Sequence, residues 1–341
     1  MLYIVMTTPE CNLCCKYCGG SLHGMSQKVQ YPIEKLSSFI AQDTDAVVAF
    51  YGGEPLLEPT FIKNCLDQLP AKHFVINTNG YFIQDLGDTI HQFDSILLSI
   101  DGRKAITDYY RESGCYDKVV SAVRFLKENQ YEGDLIARMS VSHKTDIYED
   151  VTHLLSLFPY VHWQLDMIWS PLWELPEFQS WARTNYNPGI HRLVSEWVDT
   201  MIHGDIKGIV PFLGIVSRML YGGSGLFCQS GTHSITITTD GTILGCPIAP
   251  DYTWNVLGDI SSGFHTIDIQ EPCIHCPDYQ LCGGRCLFAH IERLWGKEGF
   301  EEMCFVTRFL INELQNHLPV YTHHKERLLY PLYNNTTEII P

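Results

Sequence analysis

Cys11-Asn12-Leu13-Cys14-Cys15-Lys16-Tyr17-Cys18 decides the reading of this chain. It follows Leu2–Thr8, a short apolar run that reads as a strand. Cys11, Cys15 and Cys18 form C-x3-C-x2-C. Three thiolates in one short loop can hold three irons of a [4Fe–4S] cube and leave the fourth iron open. An open iron is needed where a substrate or cofactor must bind the cluster, whereas electron-transfer clusters use four cysteines. Cys14 is an alternative to Cys15; the spacing and the tyrosine before the last cysteine favour Cys15. On spacing alone, the loop also reads as half a zinc site completed by a distant ligand.

Outward from this loop, short β-type runs alternate with amphipathic segments. Ala46–Tyr51, His73–Asn77, Ser95–Ile100, Leu135–Val141 and Tyr160–Asp166 read as strands. Ile33–Ala41, Tyr116–Glu128 and Ile147–Phe158 carry helical periodicity. This alternation predicts βαβ units and a parallel sheet. Six strands are too few for a closed eight-stranded barrel. They predict an α/β fold, a partial (β/α)6 TIM-type barrel with its working face at the strand C-termini. Gly52-Gly53, Asn79-Gly80 and Asp101-Gly102 fall at three of those ends.

The 341 residues suggest about two domains. Cysteine is 13 of 341 residues, below the share of a disulfide scaffold, and it is bunched at short spacings. There is no secretory signal, and no apolar stretch is long enough to span a membrane. A reducing cytoplasm is the expected location. The net charge of −16 argues against a nucleic-acid partner.

Residues 1–170 read as the partial barrel and 171–226 as a helical bridge, with helix-like segments at Ile190–Ile202 and Gly208–Leu220. Residues 227–316 form a cysteine-rich domain, with short strands at Ser234–Thr238 and Thr242–Gly245 and a last helix over Phe300–Asn316. Residues 317–341 are a polar and aromatic tail, mobile at Asn334–Thr337. Seven cysteines lie in this half: Cys228 and Cys246, then Cys273, Cys276, Cys282 and Cys286 as C-x2-C-x5-C-x3-C, then Cys304. In isolation such a set reads as zinc sites or as iron–sulfur clusters.

The N-terminal loop resembles that of the radical S-adenosylmethionine (radical SAM) superfamily. In that family SAM chelates the open iron, and its reductive cleavage gives a 5′-deoxyadenosyl radical that abstracts hydrogen. Gly52-Gly53-Glu54-Pro55 resembles the family's GGEP segment, where backbone groups and the Glu54 carboxylate are expected to bind the methionine ammonium. Ser99-Ile100-Asp101-Gly102 resembles its fourth-strand segment, and Arg111 matches an arginine that contacts the SAM carboxylate. Tyr17, Gly52, Gly53, Glu54, Ser99, Asp101 and Arg111 are the cofactor-binding candidates.

The C-terminal set resembles the SPASM domain of peptide-modifying radical SAM enzymes, including a peptide-modifying group of methanogenic archaea. The resemblance implies two auxiliary [4Fe–4S] clusters with interleaved ligands, three clusters in all. Cys228, Cys246 and Cys286 would hold the first, and Cys273, Cys276, Cys282 and Cys304 the second. The first set lacks a fourth cysteine: Ser234 stands where some relatives place one. An open iron is expected there, with Cys65, Cys115 or a histidine as alternatives. Sulfatase-maturing relatives place an aspartate directly after the second motif cysteine, where this chain has Pro247.

The implied reaction is oxidative modification of a ribosomally made peptide, as a thioether or carbon–carbon crosslink. The implied partners are the precursor peptide, an electron donor such as ferredoxin or flavodoxin, and a separate peptide-recognition protein. Epimerisation, maturation of a protein residue and a small-metabolite reaction are alternatives, as is a zinc or iron–sulfur scaffold without catalysis. The general base is unassigned. Asp166, placed at the end of the sixth strand, Cys14, and Cys115, at a helix start, are candidates.

Overall fold

The computed structural model describes residues 1–18, 24–170, 172–331 and 333. Asn334–Thr337 lie outside them. The barrel strands are β1 (Leu2–Met6), β2 (Val47–Tyr51), β3 (His73–Thr78), β4 (Ser95–Ser99), β5 (Asp134–Val141) and β6 (Tyr160–Leu165). They pair in parallel in chain order. A two-residue strand, β7 (Gly208–Ile209), extends the row beyond β6.

The sheet does not stop at β1. In the cysteine-rich half, β8 (Ser234–Ile237) pairs in parallel with β1, Leu2 opposite Ser234. β9 (Thr242–Leu244), β10 (Val256–Asp259) and β11 (Gly263–Phe264) continue as an antiparallel meander. Among the described residues, one eleven-stranded sheet therefore runs through both halves. The open partial barrel follows the sequence expectation; its continuation into the cysteine-rich region does not.

Strand alternation explains the interior. Tyr3, Val5, Val48, Phe50, Phe74, Ile76, Ile96 and Leu98 face outward into the main core, packed under helices. The helices of this half include α1 (Ile33–Ile40), α2 (Pro59–Gln68), α3 (Lys104–Tyr110), α4 (Cys115–Glu128) and α5 (Ile147–Leu155). The opposite faces bury Ile4, Ala49, Val75, Leu97 and Ile136 as an apolar plug. Two residues further along each strand, the same faces present Met6, Tyr51, Asn77, Ser99 and Arg138 to a cavity. The inner wall thus turns from apolar to polar toward the strand C-termini.

The bridge contains α6 (Leu175–Trp181), α7 (Asn187–Ile202) and α8 (Val210–Tyr221). Trp173, Phe178 and Trp181 pack together there, ring centroids 5.2–6.1 Å apart. Further on lie α9 (Tyr279–Cys282), α10 (Leu287–Glu292), α11 (Gly296–Gln315) and α12 (Leu318–His324). Two tyrosines of the tail pack closely: Tyr321 is fully buried against Trp197, and Tyr333 stacks on His73 at 3.7 Å. Tyr330 and Tyr333 cover the apolar plug from below.

Candidate active site

The cysteine loop is fastened to the turns after β2, β3 and β4 and to the end of α3. Gly53 and Glu54 donate backbone N–H groups to the carbonyls of Thr8 and Glu10, at 2.9 and 2.8 Å. Asn79 donates its amide to Asn12 Oδ1 at 2.8 Å. Lys16 N–H donates to the Tyr110 carbonyl at 2.8 Å. The Tyr17 hydroxyl donates to Asp101 Oδ2 at 2.7 Å. A Cβ on Gly52 or Gly53 would lie 2.3 or 2.2 Å from the Thr8 or Glu10 carbonyl oxygen, so only glycine permits this approach.

A cavity of about 550 Å³ opens above the plug. Cys11, Cys15 and Cys18 line it, with Gly52–Glu54, Ser99 and Arg111. Cys15 interacts electrostatically with both Cys11 and Cys18, whereas Cys14 is exposed at the cavity edge. Burial pushes the Cys15 thiol up to about 12. Such a thiol is a poor nucleophile, but a bound cation would displace its proton.

Glu54 does not offer a free carboxylate. It is buried, and its oxygens accept from Leu56 N–H at 2.9 Å, Thr78 Oγ1 at 2.6 Å and Asn79 N–H at 2.7 Å. Burial raises its carboxyl to about 7 against the opposing pull of these donors. Leu56 in its own turn and Thr78 and Asn79 at the end of β3 thus take up three acceptor sites of this carboxylate and fix its orientation. Arg111 donates Nη2 to Asp101 Oδ1 at 2.7 Å, while its Nε is buried without a partner. Asn77 Oδ1, also at the cavity, is another buried polar atom without a partner. A cavity bounded by three thiols, an unsatisfied guanidinium N–H and an unsatisfied carbonyl fits a zwitterionic ligand carried on a metal cluster.

The same cavity reaches the cysteine-rich half. Cys228, Cys246 and Cys286 line it and are buried. Ser230, Pro247, Ile248 and Leu287 accompany them, and among the described residues no histidine lines it. Cys65 and Cys115 are fully buried and do not line it; burial pushes their thiols up to about 12 and about 11. Cys273, Cys276, Cys282 and Cys304 form a separate set, linked by mutual electrostatic interactions. Arg308 Nη2 donates to Cys276 Sγ at 3.3 Å. His290 Nε2 accepts the Gln270 N–H, so its Nδ1 carries the proton and faces Cys273 Sγ at 3.5 Å. Among the described residues, no group of three or more His, Cys, Asp or Glu has the arrangement of ligands around a single metal ion.

Asp166 departs from its expected place. β6 ends at Leu165, and Asp166 opens a short 3-10 turn, fully buried and away from the cavity lining. Its Oδ1 accepts the Trp173 indole N–H at 2.5 Å, and burial raises its carboxyl to about 6. The sequence reading missed Tyr51, Asn77, Arg138, Ser140 and Gln164 as cavity residues. Polar residues inside otherwise apolar strand runs were the available signal for Asn77, Arg138 and Gln164.

Residues 5–158 match the profile of the Radical SAM superfamily. This part of the chain is a radical SAM domain. Its family implies SAM and a [4Fe–4S] cluster as cofactors. In fold, the chain is similar to native anSMEcpe with bound AdoMet and Cp18Cys peptide. The TM-score is 0.68 at 19% identity, over 92% of this chain and 99% of that one. Native anSMEcpe with bound AdoMet gives 0.67 at 20%, over 93% and 100%. Streptococcus suis SuiB bound to precursor peptide SuiA gives 0.60 at 14%, over 87% and 73%. No curated protein matches in sequence. Among the described residues, no helix is long and apolar enough to cross a membrane.

Proposed function

We propose that the chain is a radical SAM enzyme that oxidatively modifies a ribosomally made peptide, forming a thioether or carbon–carbon crosslink. The observation that carries this reading is the single cavity lined by both Cys11, Cys15, Cys18 and Cys228, Cys246, Cys286. The first three would hold the SAM-binding [4Fe–4S] cluster and the second three an auxiliary cluster with an open position. Cys273, Cys276, Cys282 and Cys304 would hold a second auxiliary cluster. When bound, the SAM cluster supplies the power to break an unreactive C–H bond, and the auxiliary clusters supply an acceptor for the remaining electron.

The chain's own residues position and shield. Asp101 holds Tyr17 and Arg111 together, so the cysteine loop and the guanidinium keep one spacing. Arg111 Nε and the backbone of Gly52–Glu54 would orient the SAM carboxylate and ammonium. Ser99 would lie beside the ligand. Pro247 brings no proton-transfer group to the position where sulfatase-maturing relatives carry a carboxylate, which favours another reaction. Supporting this reading, the fold is shared with proteins solved with AdoMet and peptide bound. An external donor such as ferredoxin or flavodoxin would reduce the first cluster, and a separate recognition protein would present the peptide.

One observation favours a second reading. Cys14 is exposed and lines the cavity, where a thiol could return a hydrogen to the substrate and yield an epimer. Incubating the enzyme anaerobically with SAM, reductant and a peptide encoded beside it separates the two. Loss of a pair of hydrogens from the peptide mass supports oxidation. An unchanged mass in water, with deuterium gained from heavy water, supports epimerisation.

A further inference from the structure

Arg218, on α8 of the bridge, points into the cysteine-rich half. Its guanidinium lies 3.4 Å over the Phe227 ring, just before Cys228. Arg218 Nη1 is also 2.7 Å from where a Cβ on Gly283 would stand, just after Cys282. The guanidinium thus lies near a cysteine of each auxiliary set. Gly283 has a φ of +69° and no side chain, which leaves room for this approach.

Arg218 Nη1 is buried and has no hydrogen-bond partner. Among the described residues, no carboxylate lies within ion-pair distance of Arg218. The groups that favour its charged form are Cys282 and Cys228, then Tyr279 and Tyr330. Burial lowers its pKa to about 10, which still leaves it charged near neutrality. Arg218 is half-buried, and leaving its buried Nη1 without an acceptor is costly, so an anion held by those thiols would satisfy it. We propose that Arg218 is a charge shared by the two auxiliary sites, raising the reduction potentials of both clusters.

The physical basis is net charge. A cluster gains one negative charge for each electron accepted, and a fixed cation nearby favours the reduced form. Arg218 touches no substrate or SAM-site residue; it is a positioning residue for electron acceptance. The inference rests on the reading that both sets hold iron–sulfur clusters. Iron and sulfide content of the anaerobically purified protein tests that reading separately.

The test uses full-length protein carrying Cys11→Ala, Cys15→Ala and Cys18→Ala, so that only the auxiliary clusters give signals. Midpoint potentials come from redox titration followed by electron paramagnetic resonance. Arg218→Gln is expected to lower both potentials with iron content unchanged, and Arg218→Lys to restore most of the shift. Unchanged potentials in an iron-loaded Arg218→Gln protein, or a shift in one cluster alone, would overturn the shared-charge assignment. Should Arg218→Gln lose iron, the lysine variant decides. Retained iron and near-original potentials support the role of charge, whereas loss of iron there too contradicts it.

Discussion

The Tyr17 hydroxyl donates a 2.7 Å hydrogen bond to Asp101 Oδ2, tying the cysteine loop to the turn after the fourth strand. The other oxygen of the same carboxylate accepts Arg111 Nη2 at 2.7 Å and the Ser140 N–H at 3.0 Å. Asp101 is fully buried, so its partners are not exchanged for water. Tyr17→Phe leaves one buried oxygen short of a donor, a cost of about 1–3 kcal/mol. Its expected phenotype is retained iron with weakened SAM binding, read by iron analysis and equilibrium dialysis. Asp101→Asn leaves the Arg111 charge buried without its counter-ion and is expected to cost about 3–5 kcal/mol, read by chemical denaturation.

The glycine pair sets a second prediction. Gly52→Ala places a methyl 2.3 Å from the Thr8 carbonyl oxygen, at a φ of +148°. The segment leading into the cysteine loop must then move. The fold should persist, by circular dichroism, while SAM binding falls at least tenfold. Gly87→Ala is the control: φ is also positive there, at +58°, but its Cβ meets nothing within 4 Å, so SAM binding should hold.

Cysteine substitutions sort ligands from packing. Cys65→Ala and Cys115→Ala are expected to leave iron content unchanged and to lower stability by about 1–3 kcal/mol through small cavities. Cys14→Ser should also keep its iron. Cys15→Ser should lose the iron associated with SAM binding, and Cys246→Ser that of the first auxiliary site. Iron per chain and visible absorbance check each variant.

Asp166 carries a pH signature. Burial raises its carboxyl from 3.8 to about 6, so the folded chain holds the proton more tightly than the unfolded chain. The stabilisation is fully present below about pH 4 and is lost as pH rises through about 6. Asp166→Asn keeps an acceptor for Trp173 and removes the titration. The variant's melting temperature should gain on that of the parent between about pH 4 and about pH 6, a difference of about 2 kcal/mol in stability. A constant difference across that range would show that Asp166 does not titrate as its burial implies.

Much of this architecture was legible in the sequence because local signals carried it. The six barrel strands and the helices after the first, fourth and fifth fell within a few residues of their expected ends, as periodicity and turn residues dictate. Cys228, Cys246 and Cys286 lie on the cavity wall and Cys273, Cys276, Cys282 and Cys304 apart from it, a division that only the family resemblance, and not spacing, implied. What spacing could not reveal is long-range. The pairing of β8 with β1 joins Ser234 to Leu2 across the whole barrel, and no local pattern encodes it. Glu54 was singled out by its motif, but the donors that orient it belong to the end of β3 and to its own turn. Asp166 was placed one residue too far along its strand, which turned a tryptophan-capped carboxylate into an apparent cavity residue.

The central claim is that Cys11, Cys15 and Cys18 build a cluster that cleaves SAM reductively. The most direct test is formation of 5′-deoxyadenosine by the anaerobically reconstituted protein with SAM and a strong one-electron reductant. The parent is expected to form it and the Cys15→Ala variant to form none. An iron-loaded parent that binds SAM yet yields no 5′-deoxyadenosine would contradict the account.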